Sequence, residues 1–189
     1  MTGKFAGIIR KFTVAPIMAF IMLVILYLKD SSLFGGFINF ILSILFLTIF
    51  PLLAYPLQPF IKQYKNKGRE GQRTLAMIFA VAGYIGGCLS GFLLHAPKSI
   101  RIIYLCYLLS GALITLFNKF LHLRASGHAC GVTGPLIILM YFRMTAGYLG
   151  VPILAVVWWA SLKIRRHTIW QLIGGSMISI VSLGIAVYM

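Results

Sequence analysis

The run SSLFGGFINFILSILFLTIFPLLAYPLQPFI, residues 31–61, contains no Lys, Arg, Asp or Glu. About 20 apolar residues already cross a hydrocarbon core about 30 Å thick at 1.5 Å per helical residue, so a run this long reads as membrane-embedded. Six further windows are equally free of those four residues: 12–28, 74–97, 102–118, 125–142, 144–162 and 167–189. Peptide groups that face lipid without partners cost several kcal/mol each, and the windows lack the strict polar alternation of a barrel strand. The expected fold is therefore an all-α, polytopic transmembrane helical bundle of about six to seven helices.

Composition agrees. Of 189 residues, 60% are hydrophobic and only 10% charged, while seventeen Lys and Arg against two acids, Asp30 and Glu70, give a formal charge of +15. Such a charge invites a nucleic-acid reading, but the cations fall between long apolar runs and the aromatics are not interleaved with them, so no nucleic-acid partner is expected. Membrane lipids are the expected partners. Cys88, Cys106 and Cys130 lie in apolar stretches without metal-ligand spacing and read as small core residues.

The first apolar run follows Lys4, Arg10 and Lys11 as a signal peptide would, yet it continues through Leu28 to Lys29 without a cleavage pattern and reads as an anchored helix. Counting crossings puts the N-terminus, the 62–73 loop, the Lys119/Arg124 turn and the 163–166 turn on one side, with thirteen Lys and Arg against four elsewhere. The positive-inside rule then turns these loops to the cytoplasm, and the expected location is the cell (inner) membrane. Gly83, Gly87 and Gly91 recur every four residues and mark a close-packed helix face. Pro51, Pro56 and Pro59 predict a kinked exit from the second run.

Three polar patches fall on the favoured side. The first, Lys62 to Arg73, holds five cations and one acid; Arg69 and Arg73, with Lys62, Lys65 or Lys67, suit a phosphate or diphosphate. The second is Arg124-Ala-Ser-Gly-His128, where Ser126 caps a helix, Gly127 permits close backbone approach, and free amides face an anionic oxygen. The third is Lys163 to Gln171, with His167 and Gln171 four residues apart on one helical face, so that the Gln carbonyl can orient the imidazole. Two crossings separate each patch from the next, which collects them at one interface.

Those residue types match phosphoryl transfer, which needs a nucleophile, cations for the equatorial oxygens and an acid for the leaving oxygen. His167 is the expected nucleophile and His128 the expected general acid. Arg69, Arg73 and a nearby Lys form the clamp, with Ser126 and Gly127 completing the cradle. No cofactor or metal is called for.

The same residues resemble the type 2 phosphatidic acid phosphatases, a family related to the vanadium-dependent haloperoxidases. Its pattern is Lys, six residues, Arg-Pro; then Pro-Ser-Gly-His; then Ser-Arg, five residues, His, three residues, Asp. Here Lys62 and Arg69 keep the first spacing, with Glu70 in place of Pro; Ala125-Ser126-Gly127-His128 departs only at its first residue. In the third part His167 stands at the nucleophile position, Ala160-Ser161 replace Ser-Arg, and Gln171 replaces Asp. Arg165 and Arg166 are the nearby residues that can supply the missing phosphate contact. The resemblance implies a metal-free lipid phosphate or diphosphate phosphatase working through a phosphohistidine, with residues 1–61 as added N-terminal helices and 62–189 as the core. A non-catalytic membrane protein that binds a phospholipid headgroup through the same patches is the other reading.

Overall fold

A computed structural model describes residues 2–120 and 124–189, with the side chains of Thr2 and Arg69 outside the description. The chain is all-α. Helix α1 (Thr2–Phe12) is short and amphipathic; a break at Thr13 and Val14, with Pro16 in the first turn beyond it, bends the chain by 53° into α2 (Ala15–Lys29). On α1, Phe5, Ile8 and Phe12 are exposed and fit a lipid interface, while Ala6 is buried against the bundle.

The second apolar run forms one span in three pieces: α3 (Phe37–Ile44), a π-helical turn (Leu45–Ile49) and α4 (Phe50–Leu57). The cause is Pro51, which has no N–H for the Leu47 carbonyl and whose ring crowds it; the Phe50 N–H bonds Leu45 instead, one residue further back. A short 3₁₀ turn (Gln58–Phe60) follows, and the Gln58 amide then donates to the Tyr64 and Gly68 carbonyls, stitching the basic loop to the span's end.

Helices α5 (Gly68–Leu93) and α6 (Lys98–Lys119) form a hairpin. The small-residue face of α5 does what its spacing predicts: a Cβ on Gly83 would sit 2.4 Å from the Phe46 carbonyl oxygen, and one on Gly87 2.6 Å from the Tyr104 ring. Tyr104 is buried in that groove, with its hydroxyl 3.0 Å from Ser43 Oγ.

Helix α7 (Gly127–Tyr141) leads through the single-turn α8 (Thr145–Leu149) into α9 (Val151–Lys163), and α10 (Ile169–Tyr188) closes the bundle. Helix α10 packs on both α6 and α7. Hydroxyls join it to α7: Thr133 and Ser176 lie 2.8 Å apart, and Ser179 donates to the Cys130 carbonyl. In a bundle whose surroundings are as apolar as its interior, such bonds and small residues hold helices together. All three cysteines are free thiols in the bundle.

Among the described residues five helices are long and apolar enough to cross a membrane, or six if the bent α1–α2 pair is one span. The protein is thus an integral-membrane bundle. The sequence count of seven also includes α7, whose 15 residues extend only about 22 Å.

Candidate active site

Two histidines, one on a helix and one in the turn before another, line one cavity. His128 is the second residue of α7; His167 lies in the turn before α10. A cavity of about 460 Å³ is lined by both, and also by Gly127, Arg10, Arg73, Arg166, Pro51, Tyr55 and Tyr84. The π-turn ahead of Pro51 is therefore part of how the site is shaped.

Backbone packing fixes the two turns against each other. The Ser126 N–H donates to the Gln171 carbonyl at 2.8 Å, and a Cβ on Gly175 would lie 2.1 Å from the Ser126 carbonyl oxygen. Only a residue without a side chain allows α10 to approach the start of α7 so closely. Asn118 at the end of α6 adds a bond to the Ala125 carbonyl at 3.0 Å.

The tautomer of His167 follows from the hydrogen bonds. Gln171 sits at the third position of α10 in a capping box with Thr168, where its Oε1 accepts from the Thr168 backbone N–H. An amide N–H can only donate, so that atom of Gln171 is the oxygen. The same oxygen lies 3.1 Å from His167 Nδ1, which must then carry a proton. In the neutral ring Nε2 is left with its lone pair free.

His128 is held differently. Thr13 Oγ1 donates to the Ile9 carbonyl at 2.9 Å and lies 3.1 Å from His128 Nε2. With the hydroxyl proton engaged on Ile9, the Thr13 oxygen acts as acceptor and His128 Nε2–H as donor. Two rings thus line one cavity, His167 with Nδ1 protonated and Nε2 bare, His128 with its Nε2–H committed to Thr13.

The electrostatics are one-sided. Neither Asp30 nor Glu70, the chain's only acids, lines the cavity. Burial pushes the His167 imidazole below its ordinary value of 6.5; the Gln171 hydrogen bond pulls it up, and the charges of Arg10, Arg73 and Arg166 push it further down. His167 is consequently a neutral base in a cationic setting.

Of the residues expected from sequence, His128, His167, Gly127, Arg73 and Arg166 meet on this cavity, and Gln171 stands behind His167. Ser126 is fully buried off the cavity wall, where its hydroxyl accepts from the Ala129 N–H as the α7 cap. Lys62, Lys65 and Lys67 are exposed on the loop away from the wall, and Lys67 lies over the Tyr64 ring. Arg69 falls on α5, with its side chain outside the described residues. Arg165 is absent from the wall of this cavity and lines a separate space with His167 and Gln171.

Arg10, Thr13, Ser161 and Gly175 were not anticipated. The crossing count groups the N-terminus with the three patches, which is the one signal pointing to Arg10 and Thr13.

Other spaces adjoin the cavity. An apolar one of about 180 Å³ runs between α5, α6 and α7 and shares Ala15, Ala80, Tyr84 and Gly127 with it. An outer one of about 510 Å³ shares Arg10, Arg73 and Arg166 and adds Lys11 and Gln72. Among the described residues no group of three His, Cys, Asp or Glu is arranged to hold a metal ion. No family model, curated protein or solved structure matches this chain.

Proposed function

We propose that this protein is an integral-membrane phosphatase of the type 2 phosphatidic acid phosphatase kind, acting on a lipid phosphate or diphosphate through a phosphohistidine. The observation that carries the reading is the pair of imidazoles on a single cavity ringed by arginines, His167 with a bare Nε2 and His128 anchored through its Nε2–H to Thr13.

In this reading His167 Nε2 attacks phosphorus while the bond from phosphorus to the lipid oxygen breaks, giving an N–P bond and a leaving oxygen. His128, charged once a phosphate dianion sits beside it, keeps its Nε2–H on Thr13 and donates its Nδ1 proton to that oxygen. Water then attacks phosphorus, His128 takes its proton, and the N–P bond breaks to release inorganic phosphate and free His167. Arg73 and Arg166 hold the equatorial oxygens, and the Gly127 turn leaves room for the phosphoryl group.

The apolar space beside the cavity favours a lipid over a soluble ester. An apolar cavity of about 150 Å³ accepts a molecule the size of benzene, so about 180 Å³ takes the first segment of a hydrocarbon chain. The phosphate then stays at the cationic, watered end.

The test is phosphate release by the purified protein in detergent, with phosphatidate and a polyprenyl diphosphate as substrates. Release that vanishes in His167→Ala and falls steeply in His128→Ala supports the reading. Saturable headgroup binding without release across a panel of lipid phosphates overturns it in favour of a binding protein, the outcome that a neutral Gln171 behind His167 makes the principal rival.

A further inference from the structure

We propose that α1 is a working part of the site and that Arg10 is a phosphate ligand, a refinement that rests on the phosphatase reading above. Helix α1 packs along α9 and brings Arg10 to the wall shared by the inner and outer spaces. Its Nη1 donates to Ser161 Oγ at 2.5 Å.

Ser161 is fully buried on α9 and donates its own proton to the Val157 carbonyl at 2.8 Å. Its oxygen is thereby fixed as an acceptor and pins one corner of the guanidinium. A guanidinium carries five N–H donors in a rigid fork, so one pinned corner orients the rest without using them up.

An interfacial cation that merely snorkels to water should be exposed. Lys4 and Lys11 on the same helix are exposed in that way, whereas Arg10 is half-buried and turned to the bundle. With Arg73 and Arg166 it makes three like charges on one volume that no carboxylate lines. Such an arrangement is costly when empty and is relieved by a multiply charged anion. The ligand chemistry is that of a phosphoryl dianion, with Arg10 gripping one of its oxygens.

Vanadate binding by calorimetry and phosphate release from a lipid phosphate, measured side by side on the full chain, test the idea. Arg10→Ala is expected to weaken vanadate binding and raise KM by about 10–100-fold, the size of one charged hydrogen-bonding group. Arg10→Lys should recover part of the loss, added guanidinium ion should restore part of it to Arg10→Ala, and Ser161→Ala should raise KM less than Arg10→Ala does.

Wild-type vanadate affinity and KM in a folded Arg10→Ala, judged by an unchanged melting temperature, overturn the proposal and leave the phosphatase reading standing. If Arg10→Ala does not fold, Arg10→Lys and Ser161→Ala decide: wild-type affinity in both overturns it. If the wild type releases no phosphate, the phosphatase reading falls, and vanadate titration still decides Arg10. Binding that Arg10→Ala loses supports it; equal binding, or none to the wild type, overturns it.

Discussion

Thr13 Oγ1 lies 3.1 Å from His128 Nε2, and because its own proton goes to the Ile9 carbonyl, the threonine stands where a proton acceptor must stand. The break between α1 and α2 thus sets the proton on the acid histidine. Thr13→Val keeps the shape and removes the oxygen; kcat should fall by about 2–10-fold, the net value of one neutral hydrogen bond, with little change in KM. Steady-state kinetics on a lipid phosphate read this directly, and an unchanged kcat would remove Thr13 from the account.

The pH profile carries a signed expectation. His167 must be neutral to attack, and burial together with three arginines lowers its pKa from 6.5 against the opposing pull of Gln171. The kcat/KM should therefore persist as pH falls through 6.5 and decline only below it. Arg166→Gln removes one of the charges that lower the pKa, so its acid limb should move to higher pH. A limb that stays put or moves lower contradicts the assignment of His167 as the base that must be free.

Gln171 holds the His167 ring without supplying charge. Gln171→Glu keeps the reach, retains the capping box with Thr168 and places a carboxylate in the first turn of α10, where the helix dipole favours it. It should raise the His167 pKa and increase kcat at alkaline pH by up to about tenfold, the factor that one pKa unit represents. A fall in kcat with the acid limb unmoved would show that Gln171 does no more than cap the helix.

Gly175 bears on geometry more than chemistry. A methyl group there meets the Ser126 backbone, which cannot swing aside as a flexible side chain can. Gly175→Ala should destabilise the bundle by about 1–3 kcal/mol and depress kcat by moving His128 relative to His167. Thermal melting in detergent and kcat on the same preparation test both halves; a variant as stable and as active as wild type would show that the two turns are not locked as described.

Much of this was legible in the residues themselves. Apolar runs gave the helices because an unpaired peptide group in lipid is so costly. Crossing parity brings the second and third patches together, and the spacing of His167 and Gln171 gives their contact, although His167 lies in the turn ahead of the Thr168 cap and not on the helical face the spacing implies. Arg10 and Thr13 were not legible as site residues, since their place depends on the 53° bend between α1 and α2 and on the packing of α1 along α9. Nor were Ser161 and Gly175, a serine and a glycine whose roles exist only once another helix touches them. In the basic loop charge alone is a poor guide: Lys62 lies away from the cavity while Arg73, a residue that opens the next span, lines it.

The central claim is that His167 Nε2 becomes bonded to phosphorus in a cavity it shares with His128. The most direct measurement is a rapid quench of the detergent-solubilised protein with a lipid phosphate labelled on its phosphoryl group, followed by mapping of the labelled peptide. The account predicts an acid-labile, alkali-stable label on His167, absent in His167→Ala. Label on any other residue, or release of phosphate with no labelled protein at any quench time under conditions that would preserve a phosphohistidine, would contradict it.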